Sequence, residues 1–212
     1  MRRYGILRAL EISPAFIAFL CAYYYFDPAK TFAPFLLSVT AHETGHLIAL
    51  ALLRVRVHKL RLTFSGAVLV TEPMRYSQEI AAAAAGPAVN AILICIFANA
   101  EPMTAFVNLL LFSYNMLPFY PLDGGRILRA LLHLLFSADT AALTERIVSG
   151  ASCLFLLFGA VWLTTVWHAG LWPIVIWALL AVRIAGTILP EKRIFLRKEL
   201  TNQNCRANIT TL

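Results

Sequence analysis

The chain has 212 residues, of which 60% are hydrophobic, and carries a formal net charge of +7. Soluble domains are roughly 45–50% apolar; here mean hydropathy is +0.73 and apolar segments recur to about residue 189, which excludes a soluble domain behind a cleavable signal peptide. Nucleic-acid binding is excluded as the reason for the positive charge, because Lys and Arg sort to one side of a membrane once spans are assigned.

Six spans are predicted, roughly 12–26, 32–53, 78–98, 103–122, 147–166 and 171–189. With the amino terminus in the cytoplasm, 17 of the 18 Lys and Arg residues fall on the cytoplasmic side, leaving only Lys30 outside. The expected fold is an all-α polytopic protein of the cell membrane with both termini cytoplasmic. Residues 1–190 form its membrane domain, and residues 191–212 form a short basic tail.

The first span is the shortest, with fifteen residues between Glu11 and Asp27 and Pro14 near its start. Tyr23, Tyr24 and Tyr25 form an interfacial aromatic anchor at its outer end. Cys21, Cys95 and Cys153 sit in apolar runs without C-x-x-C spacing, and read as small buried hydrophobes.

The second span contains Ala41-His42-Glu43-Thr44-Gly45-His46 inside an otherwise uncharged stretch. Ionisable groups at that depth need compensation. On a helix His42 and His46 share one face and converge on a single ion, for which zinc is the best match. Glu43 stays outside the coordination shell and acts as general base on the activated water. The competing reading is a chance H-E-x-x-H whose histidines bond to backbone carbonyls.

Between the second and third spans, Val55, Val57, Leu60, Leu62 and Phe64 interleave with Arg56, Lys59, Arg61 and Thr63 in a broken period of two. Ser65-Gly66 supplies a turn before Ala67-Val68-Leu69-Val70. This reads as a short membrane-associated β-hairpin between helices 2 and 3, the alternative being a cytoplasmic hairpin with no part in the chemistry. The third span opens with five consecutive alanines before Gly86-Pro87 and holds Asn90, so close helix packing and a buried amide are expected there.

At the end of the fourth span, Pro118 and Pro121 exclude regular helix, so the chain runs extended and restarts as a helix after Gly125. This presents Asp123 from an irregular segment. Two imidazoles leave a catalytic zinc short of one protein ligand, commonly a carboxylate. Asp123, presented beside the hydrocarbon from this irregular segment, is the carboxylate expected to fill that place; its alternative is a structural pair with Arg126. Trp167 to Pro173 divide the last two spans, and His133 and His168 have no spacing partner.

Three segments together resemble the site-2 protease family of intramembrane zinc metalloproteases: His42-Glu43-Thr44-Gly45-His46, Gly86-Pro87-Ala88-Val89-Asn90, and Asn115-x-x-Pro118-x-x-Pro121-Leu122-Asp123-Gly124-Gly125. The resemblance implies a catalytic core at about 31–136, one zinc ion per chain held by His42, His46 and Asp123, Glu43 as catalytic base, and Asn90 near the substrate or oxyanion. Six spans and a cytoplasmic amino terminus look most like the sporulation-type branch, that of stage IV sporulation protein FB, whose usual substrate is a membrane-associated sigma-factor precursor. That branch's CBS domain has no counterpart in these 212 residues, so no role of that domain carries over.

The partners implied are a membrane-associated protein substrate, the lipid bilayer and an inhibitory membrane partner, with no nucleic acid. Cleaving a helical substrate requires local unwinding, and the hairpin edge around Gly66 would hold the unwound strand. Two rivals stand beside the protease: an intramembrane zinc transporter, which calls for ligands spaced along a route, and an inactive membrane adaptor, which the intact Glu43 opposes.

Overall fold

The computed structural model describes residues 10–27, 30–63 and 66–166, with residues 174, 177, 178 and 181 beyond them. Six helices occur among these: α1 (Pro14–Tyr25), α2 (Phe32–Leu52), α3 (Tyr76–Phe97), α4 (Pro102–Asn115), α5 (Asp123–Leu135) and α6 (Ala138–Thr165). Three strands accompany them: β1 (Leu10–Ile12), β2 (Val57–Thr63) and β3 (Gly66–Thr71).

The expected six membrane-crossing helices need correction. Only α2, α3 and α6 are long and apolar enough to cross a membrane among the described residues. The twelve residues of α1 reach about 18 Å, short of a hydrocarbon core of about 30 Å. The fourth predicted span is fourteen helical residues followed by the irregular segment 116–122. The fifth is part of α6, which starts nine residues earlier, at Ala138, and the sixth lies largely outside the described residues. Helix α1 nonetheless starts well: the Ser13 hydroxyl accepts from the Phe16 N–H at 3.1 Å, and Pro14 occupies the first turn, where its missing N–H is not needed.

The hairpin is present but belongs to a three-stranded sheet in the order β1-β2-β3. β2 and β3 pair antiparallel, and β1 joins β2 in parallel with Leu10 opposite Leu60 and Ile12 opposite Leu62. Three residues are too few to show a period, so β1 escapes a reading of the sequence. The break in the hairpin's alternation is an irregularity between Val57 and Lys59 that leaves His58 as the extra residue.

Helix α3 is central and packs against α2, α4 and α5; α2 also meets α4, and α6 meets α5. Small residues permit this closeness. Ala82, Ala83, Gly86 and Asn90 form the buried face of α3, and a Cβ on Gly45 would lie 2.8 Å from Val89 and 2.9 Å from the Ala85 carbonyl. Leu50, Val57 and Ala82 make a small core joining the sheet to α2 and α3. The remaining apolar side chains largely face outward, including Ile92 and Ile96 of α3 and Leu154, Phe155 and Phe158 of α6. In a membrane protein that surface faces lipid. Cys21 and Cys95 are exposed on it, not buried as expected.

The chain restarts as helix at Asp123, three residues earlier than the expected restart after Gly125. The glycines lie within the first turn of α5 because they are needed for contact: a Cβ on Gly124 would strike the Met116 carbonyl, and one on Gly125 the Phe119 backbone. Their bare backbones let α5 fold back on segment 116–122, and this seats Asp123 beside α2.

Candidate metal centre

His42, His46 and Asp123 are brought together although 77 residues separate the last two. All three are buried. Asp123 Oδ2 lies 3.2 Å from Nε2 of both His42 and His46, and the two Nε2 atoms are 3.1 Å apart. Ligand atoms about 2.05 Å from a tetrahedral zinc stand about 3.3 Å apart, so this triangle has the right size.

Proton accounting points the same way. His46 Nδ1 donates to the Ala82 carbonyl at 2.7 Å, and His42 Nδ1 is hydrogen bonded to Asn90 Oδ1. A carbonyl oxygen only accepts, so each neutral ring carries its proton on Nδ1 and turns an Nε2 lone pair inward. With both rings neutral, their Nε2 lone pairs and the Asp123 carboxylate are three electron-pair donors converging on one point. A cation satisfies that arrangement, and two imidazoles with a carboxylate suit zinc. Among the described residues this is the group able to hold a metal. Space for it depends on Gly86, because a Cβ there would collide with both imidazoles.

The pair of Asp123 with Arg126 exists as well. Arg126 Nη1 lies 3.7 Å from Asp123 Oδ1, and its Nε lies 3.6 Å from Glu79. The two readings of Asp123 are therefore compatible, one for each carboxylate oxygen.

His42, Glu43, His46 and Asp123 open onto one cavity of about 310 Å³. At about 30 Å³ per water it has room for several waters beside a short stretch of peptide. Its walls come from α1, α2, α4, the sheet and the start of α5, with Phe16, Phe19 and Phe35 on the apolar side and Tyr114, Asn115 and Arg126 among its polar groups.

Asn90 is placed behind His42 and does not line this cavity. It is fully buried, with its oxygen on His42 Nδ1 and its nitrogen donating to Asn108 at 2.8 Å. Gly66 pairs with Thr63 at the start of β3, and Ala67 and Leu69 further along the strand line the cavity. Asn115, quoted above only as part of a motif, lines it too and donates to the Leu111 carbonyl at 3.0 Å. Asn108 and Ser38 carry no motif. Their signal was their polarity within apolar helices.

Comparison with known proteins agrees with this geometry. The family model of peptidase family M50 matches residues 99–159. A zinc metalloprotease of Methanocaldococcus jannaschii is 28% identical over 145 residues, which cover 62% of this chain and 43% of that protein. A second curated protein, from Synechocystis sp., is 28% identical over 162 residues, covering 68% and 43% respectively. The chain thus spans less than half the length of these curated relatives. The solved structure of the site-2 protease from Methanocaldococcus jannaschii superposes with a TM-score of 0.60 at 21% identity, over 84% of this chain and 89% of that one. The fold is thus that of the solved site-2 protease, and residues 99–159, which include Asp123, match the peptidase M50 model.

Proposed function

We propose that this protein is an intramembrane zinc metalloprotease that hydrolyses a peptide bond of a membrane-embedded or membrane-associated protein. The observation that carries the reading is that Glu43, which is not one of the three ligands, opens onto the same cavity as they do. His42, His46 and Asp123 would hold the zinc. Bound there, the metal supplies Lewis acidity that activates water and polarises the carbonyl under attack.

The chain's own residues supply the rest. The Glu43 carboxylate accepts a proton from the attacking water as its oxygen bonds to the carbonyl carbon, and returns that proton to the amide nitrogen as the C–N bond breaks. The cavity keeps this water inside an otherwise apolar bundle. Substrate must arrive extended, since a helix hides its carbonyls. In the sheet order β1-β2-β3, β3 is a terminal strand. We assign the strand from Gly66 onward as the docking edge, with Ala67 and Leu69 leading from it into the cavity.

Residues 1–190 read as one membrane domain with its catalytic core at about 31–136, both termini cytoplasmic and residues 191–212 as a tail. A transporter is less well supported, because the ligands converge on one point instead of marking a route. The test is cleavage of membrane-tethered protein precursors, a sporulation pro-sigma factor among them, by the purified protein in detergent. A size shift that disappears with a chelator and returns with zinc supports the protease; no cleavage of any tethered precursor by zinc-loaded protein counts against it.

A further inference from the structure

Behind His42 stand three polar side chains from three helices: Asn90 of α3, Asn108 of α4 and Ser38 of α2. Each is fully buried, and none lines the cavity. An amide inside a membrane helix is costly, and Asn108 touches neither the metal ligands nor the cavity. A chain of amides and hydroxyls can be hydrogen bonded in either of two senses. In one sense the imidazole at its end is protonated on Nδ1, and in the other on Nε2.

Two backbone carbonyls decide which sense is realised. The Ser38 hydroxyl donates to the Pro34 carbonyl at 2.7 Å, which leaves its lone pairs for Asn108. Asn108 Nδ2 donates to Ser38 Oγ and to the Thr104 carbonyl, both at 2.8 Å. Its Oδ1 must then face Asn90, whose Nδ2 donates to it at 2.8 Å. This leaves Asn90 Oδ1 against His42 Nδ1. Reversing the order would set an amide N–H₂ against His42 Nδ1 and force the ring proton onto Nε2, where it would block the metal. His46 needs no such relay, because the Ala82 carbonyl fixes its tautomer directly.

We propose that Asn108, with Ser38, is a positioning residue of the metal centre: it anchors the relay on the Pro34 and Thr104 carbonyls and so holds His42 as the Nδ1–H tautomer with its Nε2 lone pair toward the ion. The proposal rests on His42 being a metal ligand.

The test uses the full chain in detergent micelles. Nitrogen-15 spectra of labelled histidine in the metal-free protein should show His42 protonated on Nδ1, and Asn108→Leu should give a mixture of tautomers. In zinc and cobalt titrations Asn108→Leu should bind 10–100-fold more weakly, the usual cost of losing an outer-shell partner. Adding Asn90→Asp should recover most of that loss, since a carboxylate offers His42 an acceptor in either orientation. A residue that only fills space predicts no such rescue. Wild-type His42 protonated on Nε2, unchanged zinc affinity in Asn108→Leu, or no recovery with Asn90→Asp would each overturn the proposal. Should Asn108→Leu fail to fold, Asn108→Ala takes its place in the zinc titration, and unchanged affinity there would overturn the proposal. A wild-type protein that binds no zinc defeats the metal centre itself, and is distinguishable because the tautomer is read without metal.

Discussion

Asp123 turns Oδ1 toward Arg126 Nη1, 3.7 Å away, while Oδ2 stays 3.2 Å from the two imidazoles. The arginine therefore backs the carboxylate without competing for the oxygen that faces the metal. Asp123→Asn keeps the size but removes the anionic donor, and should abolish cleavage and weaken zinc binding at least 100-fold. Arg126→Ala removes a neighbour of the ligand and should cost about 10-fold, the lower end of outer-shell losses. Competitive zinc titration of both variants measures the difference. Equal damage from the two substitutions would mean that Asp123 serves a structural ion pair.

Gly86 illustrates how the site limits its neighbours. A methyl group at this position would overlap both His42 and His46, and α3 is pinned on three sides by α2, α4 and α5. Gly86→Ala should therefore lose metal binding and lower stability by about 1–3 kcal/mol, as overpacking does. Zinc content and thermal unfolding of the purified variant report the two effects separately. Normal zinc affinity in this variant would contradict the packing described.

His42 and His46 were legible because helical spacing alone puts them on one face, and Asp123 because a carboxylate beside two prolines is rare in an apolar chain. The hairpin was legible from its alternation, including the break that proves to be a bulge. Three-residue β1 was not, because pairing across some fifty residues leaves no local period. The early start of α5 was hidden for a related reason: Gly124 and Gly125 read as a turn locally, whereas their role is contact with the backbone of Met116 and Phe119. Asn90 was assigned toward substrate through the resemblance, and its placement on His42 emerges only with Asn108 in view.

The N-terminal strand carries a pH dependence of its own. Glu11 on β1 pairs with Lys59 and Arg61 on β2, with Arg61 Nε at 2.8 Å. Hydrogen bonds from Lys59 and then Arg61 lower its pKa below the usual 4.5. A depressed carboxylate adds to the tether above its unfolded value and loses that contribution as pH falls through the lower folded value. Limited proteolysis of the N-terminal segment should accelerate below about pH 4.5, the usual carboxylate value, and less steeply in high salt because the groups are exposed. Glu11→Gln should cleave at the faster rate already at neutral pH. A variant as protected as wild type there would remove Glu11 from the tether.

The topology rests on the distribution of Lys and Arg, 17 of 18 on one side of the assigned spans. A reporter fused after Leu212 should be active only if it is a type that works in the cytoplasm. A cytoplasmic amino terminus also requires a reporter placed there to behave identically. Activity at Leu212 of a reporter that works only outside the cytoplasm would overturn the proposal that both termini are cytoplasmic.

Glu43→Gln separates a protease from a transporter with the same three ligands. The amide keeps the shape of the carboxylate and leaves His42, His46 and Asp123 intact, so the variant should still bind about one zinc per chain with near wild-type affinity. It cannot accept the proton from water, and loss of a positioned base costs typically 100- to 10,000-fold in rate. His42→Ala should instead lose zinc and cleavage together. A transporter moves the ion without any proton transfer to Glu43, so its zinc flux in proteoliposomes would survive Glu43→Gln. Cleavage lost with zinc retained identifies Glu43 as the base, whereas full proteolysis by Glu43→Gln would require another group in the cavity to accept the proton.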